Sequence, residues 1–424
     1  MEHIERLSQN SKAAKKKHSA GQEKQSEIAK QKWAIVSLSS IPLVMTLGNS
    51  MLIPVLPSME KELSITSFQT SMIITVYSIV AIFLIPVAGY ISDHVGRKKV
   101  IIPSLLIAAI GGLISWWAAW KLTDAYWLIL VGRALQGVGA AGAMPIVLPL
   151  VGDMFKSEDD VSSCLGLIET SNTFGKVLSP ILGAFLAGFI WFLPFFSIPI
   201  FCVISVILMI FLVKCPKNNE EPIPFKQFFT NIKKTFTEKG RWLYAIFFIG
   251  GILMLVLFGI LFYLSEIFEK EYGIKDLKKG IFLSLPLGAL CLASFISGKI
   301  IKKNKVLMKW LTLISIIAAA VSIAALWFSI KLWYMLTMFL ITGVGIGLSL
   351  PCLDALITEG IEKKERGTIS SVYSSMRFIG VAAGPPLIAV LMEYASHWIF
   401  IVLSSLSVLA AIITLFAVKP KATG

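Results

Sequence analysis

Runs of twenty or more nearly uncharged residues recur along this chain from Trp33 to Val418. A helix of about 20 residues crosses the roughly 30 Å hydrocarbon layer of a bilayer, and a soluble fold has no use for so many such runs in series. With 56% of its 424 residues apolar, the chain belongs among integral membrane proteins. Hydropathy predicts an all-α fold of twelve transmembrane helices, at about 33–55, 69–91, 100–119, 126–152, 161–188, 190–213, 242–265, 279–300, 306–328, 332–356, 368–392 and 395–418. The first run follows some thirty polar residues and is itself long enough to span, so it reads as a retained helix and not as a cleaved signal.

The formal net charge of +14 raises the question of nucleic acid. Most of the Lys and Arg, however, crowd into short segments between spans, including Arg97, Lys98, Lys99, Lys302, Lys303, Lys363, Lys364 and Arg366. That is how a membrane protein sets its orientation, and it places both termini in the cytoplasm. The expected domains are a disordered cytoplasmic tail at 1–32, a six-helix bundle at 33–213, a cytoplasmic loop at 214–241, a second six-helix bundle at 242–418 and a short tail at 419–424. Lys15-Lys16-Lys17 in the first tail is suited to anionic lipid.

No enzyme chemistry emerges. Cys164, Cys202, Cys215, Cys291 and Cys352 are scattered through or beside apolar spans without CxxC spacing, and the four histidines do not cluster. No metal, cofactor or nucleotide loop is expected, and Gly137-Val138-Gly139 lies inside an apolar helix, where it serves close packing. The expected partners are a small-molecule substrate, protons and the lipid bilayer, with the chain a monomer.

The fifth span is the most informative. Glu169, Asn172, Thr173 and Lys176 share one helical face, while Gly175, Ser179, Gly183 and Ala187 follow at steps of four. An ionised group at the bilayer centre costs roughly 2.5–3.5 kcal/mol on insertion scales, so the polar stripe should face protein or a wet cavity. The small-residue ridge lets another helix backbone lie close. The chain also repeats itself at a shift of about 205 residues. Gly175 and Pro180 recur as Gly380 and Pro385 beside Gly384, Gly137 and Gly139 as Gly343 and Gly345, Pro145 as Pro351, and Asp153 as Glu359. Two duplicated bundles imply a site between them near the midplane and rocking of one against the other.

Gly89-Tyr90-Ile91-Ser92-Asp93-His94-Val95-Gly96-Arg97-Lys98-Lys99, between the second and third spans, resembles the GxxxDxxGRK/R loop of the major facilitator superfamily. Arg133-Ala134-Leu135-Gln136-Gly137 resembles the RxxQG signature of its proton-coupled members. Gly175-Lys176-Val177-Leu178-Ser179-Pro180-Ile181-Leu182-Gly183-Ala184 is similar to the glycine-proline signature of its drug:proton antiporters, with Ser179-Pro180 and Gly183-Ala184 as departures. The first span offers Gly48-Asn49-Ser50 before Pro54 and Pro57, where many such antiporters carry an acid.

The resemblance implies two pseudo-symmetric six-helix bundles and the following roles. Gly89, Asp93, Gly96, Arg97 and Asp153 form a conformational latch, Asp93 capping the helix start near Gly367-Thr368 and Arg97 pairing with Asp153. Glu169 carries the coupling proton, with Asp354 as second choice and Arg133 as a stabilising charge. Asn49, Gln136, Asn172, Lys176, Arg377, Tyr77 and Tyr263 line the substrate cavity. Gly175, Ser179, Pro180, Gly183, Gly380, Gly384 and Pro385 pack helices. A competing reading makes Glu169 and Lys176 a static charge pair. Glu266 and Glu359 fall near helix ends and are expected to be solvated or latch groups. The expected function is export of hydrophobic or amphiphilic, drug-like compounds in exchange for protons. Open alternatives are a dedicated exporter of an anionic metabolite such as a siderophore, favoured by the excess of Arg133, Lys176 and Arg377 over deep carboxylates, a proton-coupled uptake symporter, and a lipid flippase or non-transporting sensor.

Overall fold

Inside a bilayer a backbone N–H or C=O finds no water, so a spanning segment must satisfy itself as helix. The computed structural model describes residues 31–155, 158–215, 230, 233–238, 240–301, 304–361 and 363–418, and these are helical almost throughout. Most of the expected tail at 1–32 and loop at 214–241, and all of the tail at 419–424, lie outside the described residues.

Twelve long helices follow in order: α1 (Gln31–Glu62), α2 (Ser67–Val95), α3 (Arg97–Lys121), α4 (Tyr126–Met154), α5 (Glu158–Ala187), α6 (Leu193–Leu212), α7 (Arg241–Lys270), α8 (Asp276–Ile301), α9 (Lys305–Ala325), α10 (Leu332–Gly360), α11 (Lys363–Tyr394) and α12 (Ile399–Ala417). Among the described residues eleven helices are long and apolar enough to cross a membrane. The other is α5, long enough at 30 residues but made less apolar by Glu169, Asn172 and Lys176.

The first span outruns the expected end near residue 55. A 3-10 turn at Ile53–Val55 interrupts it where Pro54 and Pro57 cannot donate backbone hydrogen bonds, and helix resumes over Leu56–Glu62. This extension carries Glu60 and Lys61. At the opposite end Gly96 joins α2 to α3 with φ +106°, a conformation that side chains disfavour. Lys98 Nζ then donates to the carbonyls of Ile210 and Val213, 3.0 and 2.7 Å away, satisfying the open end of α6.

The packing repeats with the sequence. In the first half α4 lies against α2 and α3, and α3 against α6; in the second, α10 lies against α8 and α9, and α9 against α12. The halves meet through α2 on α11 and α5 on α8, which are the same pair exchanged between the copies. Gly175 and Gly183 bring α5 onto α1 beside Leu43 and Met51, as Gly380 and Gly384 bring α11 onto α7 beside Gly251 and Leu255. A Cβ at Gly183 or Gly380 would collide with a backbone carbonyl of the partner helix. Pro180 touches α8 at Gly280, Ser179 donates to Gly175 O at 2.6 Å, and Pro385 is buried.

Prolines inside helices deprive the carbonyl four residues earlier of its donor. Thr75 Oγ1 of α2 donates at 2.8 Å to Ala382 O, the carbonyl left by Pro386. Ser265 Oγ of α7 donates at 2.7 Å to Ile53 O, which Pro57 cannot reach and which also accepts from the Leu56 N–H in the 3-10 turn. Ser294 Oγ does the same for Gly347 O, left by Pro351. The first two bonds join the halves. Replacing Thr75 with valine keeps shape and removes the donor, which should cost about 1–3 kcal/mol and lower the thermal midpoint of the purified protein. Adding Pro386→Ala restores an N–H to the orphaned carbonyl, so the double variant should lose less than Thr75→Val alone; equal losses would separate Thr75 from that carbonyl.

Candidate functional site

Two features of α5 deliver its polar stripe to the junction of the halves: the small-residue ridge that fixes one side on α1, and the packing of another side on α8. Glu169 is exposed, Lys176 half-buried, Asn172 and Thr173 buried. The Asn172 amide is held on both sides. Its Oδ1 accepts from Thr46 Oγ1 of α1 at 2.6 Å, which turns Nδ2 toward Glu169 Oε1 and Oε2 at 3.2 and 3.3 Å.

From the second half come Asp354 of α10 and Arg377 of α11, an ion pair at 3.4 Å whose carboxylate side is 40% exposed. Lys176 lies within electrostatic reach of Glu169, Asp354, Arg377 and the Cys291 thiol of α8. Among the described residues no carboxylate comes within ion-pair distance of Lys176. Arg377 also faces the ring of Tyr373, 5.7 Å to its centroid, and the adjacent Phe378 meets Tyr77 of the first half at 6.4 Å. The site is therefore a partly exposed, four-charge cluster shared by both halves. A static Glu169–Lys176 pair is not formed. Two helical turns, roughly 10 Å, separate the residues, and Asn172 occupies the carboxylate.

Arg133 does not belong to this cluster, and its expected contact with Glu169 is absent. It is fully buried. Nε donates to Ile73 O at 2.8 Å, Nη1 to Gly48 O at 3.0 Å and to Gln136 Oε1, and Nη2 to Asn49 Oδ1 at 2.8 Å, with Tyr77 beneath the guanidinium. Asn49, Gln136 and Tyr77, expected in the cavity, are instead the buried walls of this cage. The physical reason is that a guanidinium offers five donors in a plane, and neutral oxygens from α1, α2 and α4 converge on them. Tyr263 also leaves the expected cavity: its ring is buried between Phe400 and Phe339 inside the second half.

At the Gly96 end Arg97 gathers two carboxylates, Asp93 at 2.5 Å and Asp153 at 3.0 Å, and donates to Ser92 Oγ at 3.0 Å. Gly89 of α2 faces Ser371 of α11. α11 begins at Lys363, so Gly367 and Thr368 lie a turn inside it and not at the helix start that the expected Asp93 cap requires. At the opposite end two ion pairs tie the halves, Lys61 to Glu269 at 3.0 Å and Lys270 to Glu60 at 3.0 Å. Glu266, expected to be a solvated or a latch group, is 0% exposed there and shares Lys270 with Glu60 of the first half. Thr46, Cys291 and Tyr373 gave no sequence signal, being ordinary residues of apolar helices whose position only the packing reveals.

Residues 38–385 and 309–424 match the family described as Major Facilitator Superfamily. The chain is 53% identical over 388 residues to the bacillibactin exporter of Bacillus subtilis (strain 168), covering 91% of this chain and 96% of that protein. It is 26% identical over 385 residues to Multidrug resistance protein 2 of the same strain, covering 88% and 92%. A crystal structure of a D-xylose-proton symporter shares the fold at TM-score 0.76 and 14% identity, covering 92% of this chain and 99% of that one. The expectation of a drug:proton antiporter is thereby overturned, because the relative at 53% identity is a siderophore exporter and the multidrug protein is far more distant.

The Thr46–Asn172–Glu169 chain makes a prediction. With Thr46→Val the amide loses the bond that fixes which way it faces, worth about 1 kcal/mol. Half-saturation for cargo should rise roughly fivefold in transport assays, with membrane expression unchanged. Asn172→Ala should exceed that effect.

Proposed function

Since this chain belongs to the Major Facilitator Superfamily, we propose that it exports one dedicated anionic metabolite of the siderophore class. It is a multi-pass plasma-membrane transporter and not an enzyme. The observation that carries the cargo reading is Lys176, a half-buried cation at the junction of the halves that among the described residues has no carboxylate within ion-pair distance, beside an Arg377 already served by Asp354. Arg133 adds a second uncompensated positive charge behind Tyr77. A desolvated cation without a counterion favours a ligand that brings one. The similarity to the bacillibactin exporter supports the same reading.

In this reading the Gly96 end, with Arg97, Lys98 and Lys99, faces the cytoplasm, and the end closed by Lys61–Glu269 faces outward. An anionic group of the cargo enters from the cytoplasmic side and pairs with Lys176. Rocking about α2–α11 and α5–α8 then transfers the site to the outside. Glu169 and Asp354 are the cavity carboxylates available to take protons for the return, drawing on roughly 2.3 kcal/mol per charge per 100 mV.

Inverted membrane vesicles test this with bacillibactin as the probe. Lys176→Ala should lower uptake by about tenfold, the worth of one charge-assisted contact, and Lys176→Arg should retain most of it. Full uptake by Lys176→Ala at unchanged protein level would end the anionic-cargo assignment.

A further inference from the structure

The outer end holds six charged groups that the cargo site does not use. Glu60 and Lys61 come from the resumed helix of α1, Glu266, Glu269 and Lys270 from α7, and Lys279 from α8. They form two linked triads. Glu269 takes Lys61 at 3.0 Å from the first half and Lys279 at 2.7 Å from its own half. Lys270 Nζ donates to both oxygens of Glu60, 3.0 and 3.1 Å away, and to Ser67 Oγ at 3.4 Å.

Glu266 is the odd member. Its side chain is 0% exposed; its Oε2 is paired with Lys270 Nζ at 2.8 Å, and among the described residues its Oε1 has no hydrogen-bond partner. Two carboxylates, one from each half, thus share one lysine. Lys279, the other cation within reach, is bonded to Glu269. A fully enclosed carboxylate that must share its lysine with a second carboxylate is costly to keep ionised, and a proton removes that cost.

We propose that Glu266 is a proton-binding site of the outer gate, occupied by a proton when the outer end is closed and emptied to the outside when it opens. Opening withdraws Glu60 and Lys61 with α1. Lys270 then belongs to Glu266 alone, water reaches both, and the carboxylate ionises. Closure runs the same steps backward and takes up one external proton. The return of that proton to the same side makes this a linkage of gate position to external pH, separate from any proton carried through the cavity. It rests on the orientation given under the proposed function, but needs no knowledge of the cargo.

The sign follows from linkage: the closed state binds the proton, so raising pH favours opening. For one linked proton the open-to-closed ratio rises by up to about tenfold per pH unit between the two pKa values. The measurement is spin-label distance between Glu62→Cys and Lys275→Cys in the full chain with its native cysteines replaced, in lipid nanodiscs without cargo. Glu266→Gln, which imitates the protonated carboxyl, should hold the gate closed and abolish the pH response, while Glu266→Asp keeps a response. Glu60→Gln should also flatten it, with the open form enriched, because Lys270 is released to Glu266. A parent whose gate does not respond to pH, or a Glu266→Gln variant that responds like the parent, overturns the assignment. Either result leaves the cargo reading intact, since that is tested at Lys176 in transport.

Discussion

In a hydrocarbon slab a polar group that loses its partner has no water to turn to, and this constraint orders the whole molecule. Prolines at positions 351 and 386 each take away a donor from inside a helix, and a serine or threonine on a neighbouring helix replaces it, while at the turn before Pro57 the Ser265 hydroxyl joins the Leu56 N–H on Ile53 O. Two of these hydroxyl bonds cross between the halves, so the helix irregularities also become joints at which the bundles meet. A bond that exists only when two bodies touch is a bond that separation must break. The prolines therefore give the junction of the halves part of its stability.

The same constraint sorts the charges into three kinds. Arg133 is fully enclosed and satisfied by neutral oxygens, which fixes α1, α2 and α4 to one another and leaves its charge uncancelled. The groups at the junction of the halves, Glu169, Lys176, Asp354 and Arg377, are only partly covered and loosely paired. Those at the Lys61–Glu269 end are arranged so that Glu269 and Glu266 each have a lysine from their own half, Lys279 and Lys270, besides the contacts to α1. Separation of the halves thus need not strand a buried charge, the outcome that costs most.

Much of the fold was legible because both of its signals are local. Length and apolarity of a run determine that it spans, and a repeat at nearly constant offset reveals duplication wherever Gly and Pro landmarks survive. Glu169, Asn172 and Lys176 could be grouped because helical periodicity places them on one face whatever lies opposite. The cage around Arg133 could not be read, since Ile73 O and Gly48 O are backbone atoms that carry no residue-type signal. Tyr263 was misplaced, and the burial of Glu266 went unread, for a related reason: distance from a helix end says nothing about whether an adjacent helix covers that end, and here the extension of α1 and the packing of α12 do.

By itself, then, the order of residues determined that the chain crosses the membrane about twelve times as two related bundles, and that one helix carries an ionisable face which lipid would reject. Only the tertiary structure decided which charges share a partner. It assigned Arg377 to Asp354 and left Lys176 open, enclosed Arg133 among neutral oxygens, and buried Glu266 against a lysine shared with Glu60. The reason is physical: transfer from water depends on each residue's own chemistry, whereas the energy of a charge in low dielectric depends on what stands within a few ångströms, and helices far apart in the chain supply those neighbours.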